Sequence, residues 1–307
     1  MFNELVGQDA VKRKLQFYIE AYKVTGSFPF LNFIGARGLG KSKFAQEFSK
    51  NIIGSNGRKK PLLSLNSSSI KSGKQFFEQV FLPHINDQEV IVFFDECHAL
   101  PTDFVYALLT ILNTEKDSKV EYTAGDNVYS FDFKKHHFIF ATTESQDLFI
   151  PLRDRLTVIE FSDYTEDDLQ QIFKISLPDI QFDDGALHIL AQTSRGNARS
   201  CVLRARDVKI YTDRLSEKKF TKNDAINLFH ILGVLPHGLN RIEWQILNIL
   251  RKEGSCSLSM LAAKTGLSRS AIQKDFELFL IRKGFINIDV LRHITTNGCK
   301  VLESVNK

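Results

Sequence analysis

The chain is poor in the features that mark secreted and membrane proteins. Its 307 residues include four cysteines, and no two of them form a C-x-x-C pair. They are Cys97, Cys201, Cys256 and Cys299. This spacing indicates neither a disulfide framework nor a zinc site. No apolar run approaches the roughly 18 to 20 residues that a membrane span requires, and the first residues lack a basic-then-apolar signal pattern. We therefore expect a cytoplasmic protein that has no membrane contact and keeps its thiols reduced.

Internal repeats and low-complexity tracts are also absent from the sequence. Since 307 residues is long for one core, we expect two or three domains. The formal net charge is only +4, but the excess is unevenly distributed. From His237 onward there are 11 Lys and Arg against 6 Asp and Glu, whereas the preceding part has 29 against 30. A basic end domain indicates a polyanion partner, and a solvated basic surface without a ligand is the alternative.

The chain does contain a complete phosphate-binding loop. Residues Gly35–Ser42 match G-x-x-x-x-G-K-[ST], with an apolar run before the loop and helical spacing after it. Backbone N–H groups and a helix N-terminus can surround a triphosphate closely. We expect Lys41 to reach the outer phosphates and the Ser42 hydroxyl to ligate Mg²⁺. The predicted ATP-binding set is Gly35, Gly38, Gly40, Lys41 and Ser42. The alternative is a glycine-rich turn that binds no nucleotide.

An apolar strand that ends in two carboxylates follows this loop. It reads VIVFFDE over Val90–Glu96. We predict that Asp95 holds the Mg²⁺ ion through water and that Glu96 polarises the attacking water. Together with the phosphate-binding loop, this pair of carboxylates predicts an enzyme that hydrolyses ATP.

Three segments of the chain differ in their periodicity. Residues 1–163 alternate helical and strand-like runs, which predicts a doubly wound α/β domain with a parallel sheet. Within this domain, residues 120–131 predict a β-hairpin that rises out of the domain and offers Tyr122, Val128, Tyr129 and Phe131 to a partner. Its packing against its own domain or the next subunit is the alternative. Residues 164–236 have helical spacing and predict a small all-helical domain.

Residues 237–307 predict a winged helix. Ser257–Lys264 and Arg269–Leu280 are typical of a helix-turn-helix, and two short strands joined by a wing follow them. Because such folds also serve as protein–protein modules, the fold alone does not establish DNA binding. Basic side chains on the second helix and the wing favour a polyanion. The predicted DNA-binding residues are Arg269, Lys274 and Arg292.

Seven motifs in one order resemble the RuvB family, from about Val6 to about residue 300. They are Gly38–Ser42, Phe94–Leu100, Ala141–Thr143, Pro151–Arg155, Tyr164–Leu169, Ser194–Arg199 and the terminal winged helix. The family consists of hexameric ring ATPases of the AAA+ class that drive branch migration of Holliday junctions. The resemblance therefore implies an AAA+ P-loop domain, a helical lid and a winged helix. It also implies a homo-oligomeric ring that uses ATP and Mg²⁺ and binds duplex or four-way junction DNA. A partner similar to RuvA is implied at the 120–131 hairpin.

The resemblance also implies two catalytic roles beside that of Glu96. Thr143, or its neighbour Thr142, matches the sensor 1 position, a polar group that touches the γ-phosphate or the attacking water. Arg155 matches the arginine finger supplied to the neighbouring subunit, with Arg153 as the alternate. An arginine pair that only lies on the surface is the structural alternative.

Two further roles concern the nucleotide. Arg199 matches sensor 2, through which the state of the nucleotide is coupled to the angle of the lid. Tyr164 lies where the family packs an aromatic ring near the adenine. The alternatives are an arginine that closes a helix and a tyrosine that is buried for structural reasons.

Three segments depart from the pattern of the family. The phosphate loop has Ala36 and Arg37 where two prolines are usual. The sensor 2 segment reads Gly-Asn-Ala-Arg over Gly196–Arg199 where Gly-Thr-Pro-Arg is usual. The wing, Asn287–His293, lacks the family's Arg-x-x-x-Gly-Arg pattern. These departures concern base recognition and the grip on DNA, so we expect a diverged member.

Three functions are compatible with these motifs. The first is an ATP-driven motor that translocates duplex or branched DNA. The second is an ATP-switched assembly or loader protein that binds DNA and recruits another enzyme. Remodelling of protein substrates is less favoured, because the C-terminal domain is basic and winged. DNA-stimulated turnover with displacement of a junction would separate the motor from the switch.

Overall fold

The computed structural model describes residues 2, 4–112, 119–124 and 127–305. The backbone forms two compact units. The first comprises Met1–Thr165 and Asn197–Arg199, and the second comprises Glu166–Gly196 and Ser200–Lys307. The predicted boundary between the lid and the winged helix, at residues 236 and 237, lies inside the second unit. The division into three domains stays a prediction.

The first unit contains six helices and seven strands in its described residues. They are α1 (Asp9–Thr25), β1 (Leu31–Ile34), α2 (Lys41–Ser49), β2 (Leu62–Asn66), α3 (Gly73–Phe76), α4 (Leu82–His84), β3 (Val90–Asp95), α5 (Thr102–Ile111), β4 (Lys119–Ala124), β5 (Asn127–Asp132), β6 (His136–Thr142), α6 (Ile150–Arg153) and β7 (Thr157–Glu160). A π-helical turn, Phe77–Phe81, joins α3 to α4. The predicted apolar strand over Val90–Glu96 is confirmed as β3, which ends one residue earlier, and the apolar run before the phosphate-binding loop forms β1.

Five of these strands form one parallel sheet in the order β2-β3-β6-β1-β7. The central strands β3 and β6 are apolar along most of their length because helices cover both faces of such a sheet. The five strands are parallel, so the carboxyl ends of β1, β3 and β6 lie at the same edge of the sheet. Ligands of open α/β sheets bind at that edge.

The predicted hairpin forms as β4 and β5, with Tyr122 opposite Tyr129. The prediction that it offers Tyr129 and Phe131 to a partner was wrong, and the alternative, packing against its own domain, holds for both. Tyr129 and Phe131 are buried, with ring centroids 4.7 Å from Phe77 and 4.4 Å from Phe81, respectively. Alternate residues of a strand face opposite sides, so the aromatic face completes the core of the domain. Val128, on the other face, is 61% exposed. Gly125 and Asp126 of the predicted turn lie outside the described residues.

The second unit is built from helices and short strands. They are α7 (Glu166–Ser176), β8 (Gln181–Phe182), α8 (Asp184–Thr193), α9 (Ala198–Leu215), β9 (Lys219–Phe220), α10 (Lys222–Leu232), α11 (Arg241–Glu253), β10 (Ser255–Cys256), α12 (Leu258–Thr265), α13 (Arg269–Ala271), α14 (Leu278–Arg282), β11 (Ile286–Ile288), β12 (Arg292–Ile294) and α15 (Thr296–Val305). The first two residues of α9 belong to the first unit.

The predicted winged helix is present. The hydroxyls of Ser257 and Ser268 accept hydrogen bonds from the N–H groups of Met260 and Ala271, which caps α12 and α13. A π-helical turn, residues 272–277, connects α13 to α14, so residues 269–282 form one recognition helix. Strands β10, β12 and β11 form an antiparallel sheet, and the wing is the turn between β11 and β12. In the part of the chain that the structure describes, no helix is both long and apolar enough to cross a membrane.

Candidate nucleotide site

The phosphate-binding loop connects β1 to α2 at the ligand edge of the sheet. Gly40 precedes α2 with φ 92°, a conformation that favours glycine. A Cβ at Gly35 would lie 2.8 Å from the carbonyl oxygen of Phe161, so the backbone passes too close there for any side chain. Glycine at these positions therefore allows the backbone of the loop and the start of α2 to come close to an anion.

Lys41 is buried in this loop, and its ammonium donates hydrogen bonds to the carbonyl oxygens of Gly35 at 2.7 Å and Ala36 at 3.1 Å. Burial lowers the pKa of Lys41 below its ordinary value, and the carboxylates of Glu96 and Asp95 oppose this shift. Those two carboxylates therefore favour the charged form of Lys41 that a phosphate requires.

Two candidate oxygen ligands for Mg²⁺ lie together at the edge of the sheet. The Ser42 hydroxyl, in the first turn of α2, lies 3.4 Å from Oδ2 of Asp95 at the end of β3. The other oxygen of Asp95 accepts a hydrogen bond from the N–H of Glu96 at 3.1 Å. A hydroxyl and a carboxylate are the hard oxygen donors that Mg²⁺ takes beside phosphate oxygens. The residues present therefore fit this ion.

Glu96 and the end of β6 face each other. Glu96 has a positive φ of 53°, which is uncommon for a residue other than glycine. The Thr143 hydroxyl donates a hydrogen bond of 3.0 Å to Oε2 of Glu96. Thr142 is fully buried, and its hydroxyl contacts Nδ1 of His98 at 2.9 Å. Of the two predicted sensor 1 candidates, Thr143 is thus the one in contact with the carboxylate of Glu96.

Two residues that hold this site together were missed by the sequence analysis. Nδ1 of His98 lies 3.6 Å from Oε2 of Glu96, besides its contact with Thr142. Gln8 donates a hydrogen bond from its amide to the carbonyl of Ser162 and accepts one from the N–H of Ser162 at 3.2 Å. His98 could have been found from its place two residues after Glu96. Gln8 could not, because its partner is far away along the chain.

The segment around Arg199, the predicted sensor 2 residue, is hydrogen-bonded to the phosphate-binding loop. The side-chain amide of Asn197 donates a hydrogen bond of 2.6 Å to the carbonyl of Arg37, and the N–H of Arg199 donates one of 3.2 Å to the carbonyl of Gly38. The two departures from the family pattern, at residues 36–37 and at Asn197, are therefore in contact with each other. The side chain of Arg199 is exposed.

Tyr164 also holds the phosphate-binding loop. It is buried, and its hydroxyl donates a hydrogen bond of 3.1 Å to the carbonyl of Leu39. This contact gives the ring a structural role. Packing against the adenine stays a prediction.

The first and the last of the three predicted domains are each matched by a known family. The Holliday junction DNA helicase RuvB P-loop domain matches residues 1–161, which is more than half of the chain. The chain belongs to the RuvB family. The RuvB C-terminal winged helix domain matches residues 236–303.

Individual relatives of the RuvB family extend over most of the chain. The Holliday junction branch migration complex subunit RuvB of Kosmotoga olearia is 28% identical over 92% of this chain and 83% of its own length. The corresponding protein of Thermotoga maritima is 26% identical over 92% and 85%. A solved structure of the Thermotoga maritima RuvB branch migration motor has a TM-score of 0.76 at 22% identity, over 97% and 95% of the two chains. ATP-bound NtrX of Brucella abortus has a TM-score of 0.58 at 18% identity. The structural likenesses support the fold.

The arginine finger predicted from the RuvB family lies at the surface of the first unit. Arg155 follows α6, is exposed, and donates a hydrogen bond of 2.8 Å to the carbonyl of Pro151. Arg153, the alternate, is half-buried. An exposed guanidinium is accessible to a second subunit, so Arg155 suits the trans role better than Arg153 does.

The predicted DNA contacts of this RuvB-family chain divide into two kinds. Arg269 and Lys274 are exposed on the recognition helix. Arg292 is only 9% exposed, and its Nε donates a hydrogen bond of 2.8 Å to Oε1 of the buried Glu277. A buried carboxylate requires a cationic partner. The guanidinium of Arg292 therefore pairs with Glu277 inside the domain and does not face DNA. We therefore withdraw Arg292 from the predicted DNA contacts.

Proposed function

We propose that this protein is an ATP-hydrolysing motor that moves duplex or branched DNA, in the manner of RuvB branch migration. The observation that supports hydrolysis most directly is the Glu96 carboxylate, which Thr143 holds at 3.0 Å beside the phosphate-binding loop. A protein that only binds nucleotide needs no such group. The family match and the names of the relatives favour the motor over the ATP-timed loader.

Each residue of the pocket has one task in this proposal. Lys41 contacts the outer phosphates, and Ser42 and Asp95 hold Mg²⁺, the latter through water. When bound, the ion neutralises the charge that accumulates on the transferred phosphoryl group. Glu96 orients and polarises the attacking water, and Thr143 fixes the carboxylate of Glu96 in the position for that task.

Assembly supplies one further catalytic group, the arginine finger Arg155. Arg155 reaches the nucleotide of the neighbouring subunit in a homo-oligomeric ring, and a hexamer is the arrangement that the family implies. A finger of this kind raises turnover by roughly 10³ to 10⁵. Arg199 and Tyr164 act within one chain, on the phosphates and beside the adenine respectively. The exposure of Arg155 and Arg199 supports these assignments.

Two surfaces complete the proposal. Arg269 and Lys274 on the recognition helix contact phosphates of duplex or four-way junction DNA. A partner similar to RuvA docks on the outer face of the hairpin, where Val128 is exposed. The inner face, with Tyr129 and Phe131, belongs to the core of the ATPase domain.

Two substitutions test the ATPase assignment. Lys41→Ala is expected to abolish ATP binding because the phosphates lose their main side-chain cation, whereas Glu96→Gln should bind ATP and fail to hydrolyse it. Binding is measured with a fluorescent ATP analogue and turnover by phosphate release. The control is Glu144→Gln, which neutralises a nearby carboxylate that is 52% exposed. Normal turnover in Glu96→Gln would refute the assignment.

A further inference from the structure

Arg195 holds together two parts of the second unit. Its Nη1 and Nη2 donate hydrogen bonds to the two carboxylate oxygens of Glu243, at 3.0 Å and 2.5 Å. Its Nε donates a third, of 2.8 Å, to the carbonyl of Gly238. The guanidinium also lies 3.8 Å from the centroid of the Phe279 ring. Residue 195 follows α8 of the predicted lid, whereas its three partners all belong to the predicted winged helix.

The chemistry of these contacts makes them rigid. A bidentate guanidinium–carboxylate pair fixes the orientation of both groups as well as their distance. The Glu243 side chain is fully buried, so removal of its cation would leave an uncompensated charge in the interior. The backbones are also in contact, because a Cβ at Gly238 would lie 2.8 Å from the carbonyl oxygen of Thr193. We name this group of residues the Arg195 clamp: Arg195, Gly238, Glu243 and Phe279.

The residues that follow Arg195 hold the phosphate-binding loop. Asn197 donates a hydrogen bond to the Arg37 carbonyl, and Arg199 donates one to the Gly38 carbonyl. Both residues belong to the first unit, whereas Arg195 belongs to the second. The link from residue 195 to residue 199 is short and spans at most about 14 Å when fully extended.

We propose that Arg195 is a positioning residue that couples the nucleotide state of the phosphate-binding loop to the winged helix. A shift of the loop at Arg37 and Gly38 displaces the segment of Asn197 and Arg199. The short link passes this displacement to Arg195, and the clamp passes it to α11 and the recognition helix. The inference rests on the proposed function, since it requires ATP hydrolysis by the first unit and DNA binding by the winged helix.

Arg195→Lys is the sharpest variant for testing this coupling. Lysine keeps the positive charge next to Glu243 but cannot form the bidentate and stacked contacts. Arg195→Ala is the stronger perturbation, and thermal unfolding shows whether each variant folds. The matched control is Arg204→Ala. Arg204 is 28% exposed against 27% for Arg195, pairs with Asp207, and lies 5.6 Å from the Phe229 ring centroid. It therefore resembles Arg195 in exposure and contacts but does not join the lid to the winged helix.

The measurements are ATP turnover without DNA and with saturating four-way junction DNA, together with KM for ATP. We expect wild type and Arg204→Ala to be stimulated by the junction. We expect Arg195→Lys and Arg195→Ala to keep the KM and the DNA-free turnover of wild type within about twofold and to lose the stimulation. Their affinity for DNA should also no longer differ between the ATP-bound and nucleotide-free states.

The contrary results distinguish an error in the proposed function from an error in the coupling inference. If wild type hydrolyses ATP without any response to DNA, the proposed function is wrong and the coupling inference is overturned with it. If wild type responds and Arg195→Lys responds equally, only the coupling inference is overturned. An equal fall of DNA-free and DNA-stimulated turnover in Arg195→Lys would show a general structural role and would overturn the inference as well.

Discussion

Replacement of Arg269 and Lys274 by alanine tests which surface of the protein binds DNA. Both side chains are exposed on the recognition helix, so each can reach a phosphate without rearrangement of the domain. Each phosphate contact contributes about 0.9 to the slope of log K against log[salt] for duplex DNA. The loss of two contacts should therefore lower the magnitude of the slope by about 1.8.

The same number predicts the change in affinity. Because the slopes differ by about 1.8, the ratio of wild-type affinity to double-variant affinity should fall by roughly 12-fold between 50 and 200 mM salt. Fluorescence anisotropy with a labelled duplex at four or five salt concentrations measures both quantities. A translocating motor must tolerate every sequence that it passes, so the sequence preference should not change.

The control removes the same charge from another part of the domain. Lys252, in the last turn of α11, and Lys300, in α15, are exposed and lie outside the recognition helix. Their joint replacement by alanine should change the slope by much less than 1.8. Equal slopes for wild type and Arg269→Ala/Lys274→Ala would exclude Arg269 and Lys274 as DNA contacts and would make the winged helix a protein-interaction module.

Two other predictions concern assembly and the hairpin. Arg155→Ala should bind ATP but be inactive alone. Mixing it with inactive Lys41→Ala subunits should restore some turnover at interfaces where an intact pocket meets an intact arginine finger. No recovery of turnover in assemblies shown to exchange subunits would contradict the trans role. Val128→Asp should fold like wild type and lose binding of a RuvA-type partner in a pull-down, whereas Tyr129→Asp should lower stability by roughly 3 to 5 kcal/mol because it buries a charge in place of a packed ring. Unimpaired partner binding by Val128→Asp would exclude the outer face of the hairpin as the docking surface.

Local patterns were sufficient to predict much of the fold. The apolar run before the phosphate-binding loop forms β1, and the two helices of the winged helix were predicted from their spacing. The five-stranded order was not predicted, because β7 is short and its partner β1 is far away in the sequence. Alternation alone also could not tell which face of the 120–131 hairpin is buried.

In the site as well, residues within local motifs could be predicted, whereas roles that depend on partners distant in the sequence could not. Motif spacing predicted that Lys41, Asp95 and Glu96 lie close together, and they do so in the structure. The roles of Arg195 and Arg292 depend instead on the buried carboxylates of Glu243 and Glu277, which lie 48 and 15 residues away along the chain. A basic residue in a wing looks like a DNA contact until its partner is known.

Displacement of a four-way junction is the decisive assay for the proposed motor activity. The protein is incubated with a labelled four-way junction, with or without the RuvA-type partner, and ATP or a non-hydrolysable analogue is added. We predict ATP-dependent conversion of the junction to duplex products by wild type and none by Glu96→Gln, although both bind ATP. Stable ATP-dependent assembly on the junction without any displacement would contradict the motor and would favour the ATP-timed loader.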